Sequence, residues 1–212
     1  MTATLGQIDK PSAERFQGRR KLYLVPLIYS SKEVAAEQAG MFERYWQQAQ
    51  EHVHSLSSRL GKVARVYHEA VALAGEEGMK MVETLSPQSF TLVQDACSQG
   101  ASLEALEDPD WLTEAMDWER CLLVGLLSPR VVQLVSSQYQ EAIQKRYEAL
   151  AERIDSSLRP EEAGLLLISE NHRIQFPQDI QVFYVAPPTL DEIHRWMRDR
   201  TQRETQANPP TE

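Results

Sequence analysis

Glu107, Asp110, Glu114 and Asp117 follow one another at spacings of 3, 4 and 3. On a helix those spacings bring four carboxylates to one face. Trp111, Ala115, Trp118 and Leu122, at spacings of 4, 3 and 4, line the neighbouring face. Part of this pattern is ordinary helix chemistry. Asp108 before Pro109 is a good N-cap, and acids in a first turn meet the positive end of the helix dipole, worth roughly 0.3–1 kcal/mol each. That accounts for Glu107, Asp108 and Asp110. It leaves Glu114 and Asp117, where like charges at helical spacing cost about 0.2–0.5 kcal/mol per pair. The first basic residue near the stripe is Arg120, past its end.

Three chemistries fit such a stripe. It can be a solvated face, or one neutralised by Arg or Lys from elsewhere in the fold. It can be a docking surface for a basic partner, with the tryptophans as apolar anchors. It can be a carboxylate site for Mg²⁺, Mn²⁺ or Ca²⁺. The metal reading is the weakest of the three. Octahedral coordination draws ligands from more than one element, and the stripe itself carries no Glu-x-x-His pair of the kind di-metal bundles use.

Two other groups could do acid–base chemistry. Tyr67-His68-Glu69 and Ser169-Glu170-Asn171-His172 each fall at the end of a predicted strand. Ligands in α/β sheets bind at those ends. His68, Glu69, Glu170 and His172 are therefore the candidate catalytic or ligating residues. Alternation along the strand sets Tyr67 and Glu69 on one face and His68 on the other. If the two strands are parallel neighbours, His68 and His172 share an edge. Each group also has a plainer reading, as a hydrogen-bonded strand histidine and as a tight turn around Asn171.

The chain has no Gly-x-x-x-x-Gly-Lys-Ser/Thr, Gly-x-Gly-x-x-Gly, His-Glu-x-x-His, Cys-x-x-Cys, Gly-x-Ser-x-Gly or Gly-Gly-Gln sequence. The common phosphate cradles, zinc sites and nucleophile elbows are thus missing. No cofactor is named by these residues. His52 and His54, two apart on a helix, cannot ligate one metal together. Cys97 and Cys121 read as small buried hydrophobes with free thiols. The first twenty residues carry no apolar core of a signal sequence, so a reducing cytoplasm is expected.

The net charge is −9, from 31 acids against 22 Lys and Arg. That weighs against a nucleic-acid binder and against charge-driven binding to anionic lipid. The balance is uneven: residues 1–21 carry five bases and two acids, whereas 104–119 carry seven acids and no base. The longest apolar run, Cys121–Leu127, is far short of the roughly 20 residues a membrane span needs.

These residues must be positioned by a helix-rich α/β fold, with a small, mostly parallel sheet of about four strands covered by helices, two of them long. Strands are expected at 21–29, 63–71, 164–169 and 179–186. Pro26 cannot donate to a ladder, which predicts an edge position or a bulge for the first. Helices are expected at about 33–60 (capping box Ser30/Glu33, stripe from Val34), 87–98, 109–125, 129–157 and 189–200 (capping box Thr189/Glu192). Gly75–Gly78 should break the chain. Residues 1–19 and 201–212 should be flexible, flanking one α/β domain at 20–200 with a helical block at 87–157.

The leading expectation is a cytoplasmic binding protein. It would use Glu107, Asp110, Trp111, Glu114, Asp117 and Trp118 to dock a basic protein or a second copy of itself, without nucleic acid or membrane. The alternative is a small enzyme, with or without a metal, built on His68, Glu69, Glu170 and His172 at the carboxyl ends of the strands.

Overall fold

The computed structural model describes residues 18–28 and 39–207. In chain order the elements are β1 (Arg20–Leu27), α1 (Ala39–Leu60), β2 (Val63–His68), α2 (Gly75–Leu85), α3 (Pro87–Ser98), β3 (Ser102–Leu103), α4 (Pro109–Leu123), α5 (Pro129–Ser157), β4 (Ala163–Ser169), β5 (Ile180–Tyr184) and α6 (Pro188–Ala207). The sheet order is β3-β2-β4-β1-β5, and every pair is parallel. The fold is the helix-rich α/β class expected, with five strands instead of about four. Two-residue β3 is too short to leave a periodic signal in sequence.

Parallel strands covered on both faces should be apolar throughout, and β1 and β4 are. Tyr23, Val25, Val66, Leu165 and Leu167 face one core with Phe42, Tyr45 and Val53 of α1, Val82 of α2, Val93 of α3 and Ile193 of α6. Leu22, Leu24, Tyr67, Leu166 and Ile168 face the other, with Leu150 and Ile154 of α5. From β1 through β2 to β3 the chain steps toward one edge, with α1, α2 and α3 on the first face. From β3 through β4 to β5 it returns, with α5 and Ile174 and Phe176 of the following loop on the second face. Reversing both direction and face keeps one crossover hand throughout. The connections leaving β2 and β4, adjacent strands, therefore depart to opposite faces. That is a topological switch point.

Several expectations are corrected. β1 is interior, not an edge, and its ladder to β4 runs unbroken through Pro26 opposite Ile168. Leu24 already directs its carbonyl to Val185 on the β5 side, and β5 ends at Tyr184. The imide nitrogen of Pro26 thus faces that side beyond the end of β5, so no ladder bond is lost. Its carbonyl accepts the Tyr45 hydroxyl at 2.6 Å. Gly75–Gly78 does not break the chain but starts α2. Gly78 is there because a Cβ would lie 2.2 Å from the Leu73 carbonyl oxygen. Strand β2 stops at His68, short of Val71. Thr189 does not cap α6; it lies in the first turn, and its hydroxyl donates to Gln48 of α1 at 2.8 Å. Residues 201–207 continue α6 instead of forming a loose tail. The Ser30/Glu33 cap, Val34, and residues 1–17 and 208–212 lie outside the described residues. No described helix is long and apolar enough to cross a membrane.

Candidate functional site

At the switch point β2 runs out into Glu69 and Ala70, and β4 ends at Ser169. Glu69 and Glu107 both turn inward and meet Arg146 of α5; all three are buried. Arg146 forks onto Glu107, with Nε donating to Oε2 at 3.0 Å and Nη2 to Oε1, and reaches Glu69 Oε1 at 3.2 Å. Each carboxylate also accepts a backbone N–H. Ser169 donates its backbone N–H to Glu69 Oε2 at 2.8 Å, and Ala70 donates its own to Glu107 Oε1 at 3.1 Å. Ala70 takes φ +65°, a left-handed conformation costly for a residue with a Cβ, as it makes that bond. Burial works against the Arg146 charge, but Glu107 and Glu69 more than offset it and hold the guanidinium above its ordinary range. The crevice where an α/β sheet usually takes a ligand is filled by the protein's own ion pairs.

The acid–base candidates do not converge. His68 is buried on the α3 side of the sheet. Its Nδ1 lies 2.6 Å from the Glu69 carbonyl oxygen, which can only accept, so Nδ1 carries the proton; Nε2 lies 3.0 Å from Ser89 Oγ. Burial pushes its pKa below the ordinary histidine value. His172 sits on the other side, its ring edge-on to Phe176, and burial lowers it too. β2 and β4 are indeed parallel neighbours, but the two rings occupy opposite faces. Glu170 belongs to a third group, accepting the Tyr184 hydroxyl at 2.8 Å and His194 Nε2 at 2.6 Å. Sequence reading missed both partners, which come from β5 and α6. A carboxylate orienting an imidazole is general-base geometry. This trio, however, lies at the surface, and among the described residues its hydrogen bonds reach no Ser, Thr, Cys or Lys nucleophile. A groove of about 640 Å³ beside α5, between Gln144, Tyr147 and Arg173, is lined by none of the four candidates.

The acidic stripe survives only in part. Glu107 precedes the helix and is the buried partner of Arg146, so it does not belong to a surface. Asp108 caps α4 as expected, accepting from Asp110 N at 2.9 Å and Trp111 N at 3.3 Å. Asp117 pairs with Arg120 at 3.0 Å on the exposed face. Trp111 is not an open anchor, because Lys145 lies over its ring at 5.4 Å. Trp118 is half-buried, and its indole N–H points to Glu114 Oε1 at 3.4 Å. Asp110, Glu114, Asp117 and Trp118 line a shallow depression of about 460 Å³. Among the described residues, no group of three or more His, Cys, Asp or Glu is placed to hold a metal ion. Cys97 and Cys121 are free and half-buried, less enclosed than expected.

A feature that sequence reading missed lies at the far end of α4. α4 and α5 form a helical hairpin, joined by residues 124–128. Only the later turns of α5 reach the sheet, through Leu150 and Ile154, and Ala115 is the one buried residue of α4. At the tip Leu127 is 99 % exposed, Leu123 79 %, Val124 73 % and Leu134 61 %, with Val131 and Val132 beside them. The sequence signal is the uncharged run 121–129, too short to span a membrane but apolar enough to form a surface patch. Comparison with protein-family models, with curated proteins and with solved structures gives no match.

Proposed function

We propose that this protein acts by binding other proteins, with the α4–α5 hairpin as its docking arm. The observation that carries the reading is the exposed aliphatic tip, continuous with an acidic flank on α4. A contiguous exposed apolar patch, as opposed to single exposed apolar residues, marks interaction surfaces on monomers. The flank, now Asp110, Glu114 and Asp117 around Trp118, suits a partner bearing Lys or Arg. The filled switch point supports the same reading, because Arg146, bonded to both Glu69 and Glu107, occupies the place of a ligand. Glu69, Glu107 and Arg146 then serve to anchor the arm: α4 starts beside Glu107, and Arg146 lies midway along α5.

A labelled amphipathic peptide of Leu and Lys residues tests the flank. It should bind the protein at low salt and lose affinity as salt rises, since screening shortens from ~10 Å at 0.1 M to ~3 Å at 1 M. Asp110→Lys with Glu114→Lys should abolish most of that binding. Glu76→Lys with Glu83→Lys on exposed positions of α2 makes the same change in net charge and should leave it intact. Equal losses in the two variants would mean bulk charge attraction and would overturn the assignment to α4.

A further inference from the structure

We infer that the tip of the hairpin is covered by a second copy of this chain, two hairpins pairing about a two-fold axis. The inference rests on the docking-arm reading but gives tip and flank different occupants. The tip patch draws on three consecutive segments: Leu123 and Val124 at the end of α4, Leu127 in the connection, and Val131, Val132 and Leu134 in the first turns of α5. No charged residue interrupts 121–129, and residues 129–134 are all exposed. Such a surface loses free energy in water for every exposed methylene, and covering it returns about 25 cal/mol per Å².

The charges around the patch select the occupant. Asp117 and Arg120 are exposed but already pair with each other at 3.0 Å, which leaves the exposed Glu119 and Arg130, one of each sign. A basic partner would meet the Arg130 guanidinium at this rim, and an anionic lipid surface the Glu119 carboxylate. A second copy meets neither conflict. A two-fold interface sets residue i against j and j against i, so Arg130 of each copy can face Glu119 of the other. The rim is self-complementary where the flank, with Asp110 and Glu114, is not. Four helices packed end-to-end at the tip leave both acidic flanks outward.

Sedimentation velocity from low to high micromolar protein tests this. The wild-type chain should pass from monomer to dimer. Leu127→Asp should weaken the dimer about tenfold or more, as loss of a central apolar anchor does. Because Leu127 is almost fully exposed, that variant should fold normally, with unchanged circular dichroism. Arg130→Glu should also weaken the dimer, and adding Glu119→Arg should restore it. Asp110→Lys with Glu114→Lys should leave the dimer intact, so failure of the flank reading shows in peptide binding and not in mass. A chain monomeric at every concentration would overturn the inference. So would a dimer undiminished in Leu127→Asp, or capture of the monomer on neutral lipid vesicles through the same leucines.

Discussion

At its base the α4–α5 hairpin is held by Glu69, Glu107 and Arg146, buried and mutually bonded; at its tip Leu123, Leu127 and Leu134 face solvent. The usual placement of polar and apolar side chains is inverted between the two ends. Charge buried without a partner is costly, so the base is a place where three elements must meet in one geometry. Apolar surface left in water is also costly, so the tip is the place where the proposed second copy would act. The base secures the hairpin to the sheet, and in the proposal above the tip is the part that binds.

Breaking the base should cost the most. Arg146→Met leaves Glu69 and Glu107 facing each other in a buried site, and removing one partner of such a cluster costs about 3–5 kcal/mol. Urea unfolding would measure it, and Glu107→Gln should cost less because the amide keeps the Ala70 N–H satisfied.

Acid should destabilise the fold through its buried histidines. Burial holds His68 neutral, with its folded pKa below the ordinary value. The unfolded chain therefore takes up its proton first as pH falls below about 6.5, and the native state loses stability through that range until the folded value is passed. His172 contributes with the same sign. Thermal melts between pH 5 and pH 7, roughly spanning this range, should show a shallower slope for His68→Gln than for the wild type.

Smaller effects follow along α4. Asp108→Ala removes the side chain that caps its first two free N–H groups and should cost about 1 kcal/mol by the same urea measurement. Asp117→Asn breaks only an exposed pair with Arg120 and should change stability by less than about 0.5 kcal/mol. At the tip, Leu127→Ser should leave monomer stability within about 0.5 kcal/mol. A loss comparable to that of Arg146→Met would mean that the tip is part of the core, and the contrast between the two ends would be gone.

Much of the fold was legible because the signals were local. Ser86-Pro87, Asp108-Pro109 and Ser128-Pro129 mark the starts of α3, α4 and α5, and the apolar run 164–169 marks a doubly covered strand. What could not be read depends on where the chain places distant residues. Pro26 predicts an edge only if the neighbouring strand is long enough to need its N–H, and β5 is not. Gly78 reads as a breaker because its packing against Leu73 is invisible in sequence. Glu107 falls on the helical stripe by spacing, yet it precedes the cap, and its partner Arg146 lies 39 residues on. The pairing of Glu170 with His194 and Tyr184 has the same origin. The tip leucines were plain in sequence, but their exposure follows from α5 outrunning the sheet, which no local pattern records.

Hydrogen exchange as a function of protein concentration tests the central claim most directly, since it reports where copies meet. Amides across 121–134 should gain protection as concentration rises, while those of α2 and α3 stay unchanged. If 121–134 exchange at the same rate at every concentration, or if the added protection falls elsewhere in the chain, the tip is not the surface that a second copy covers.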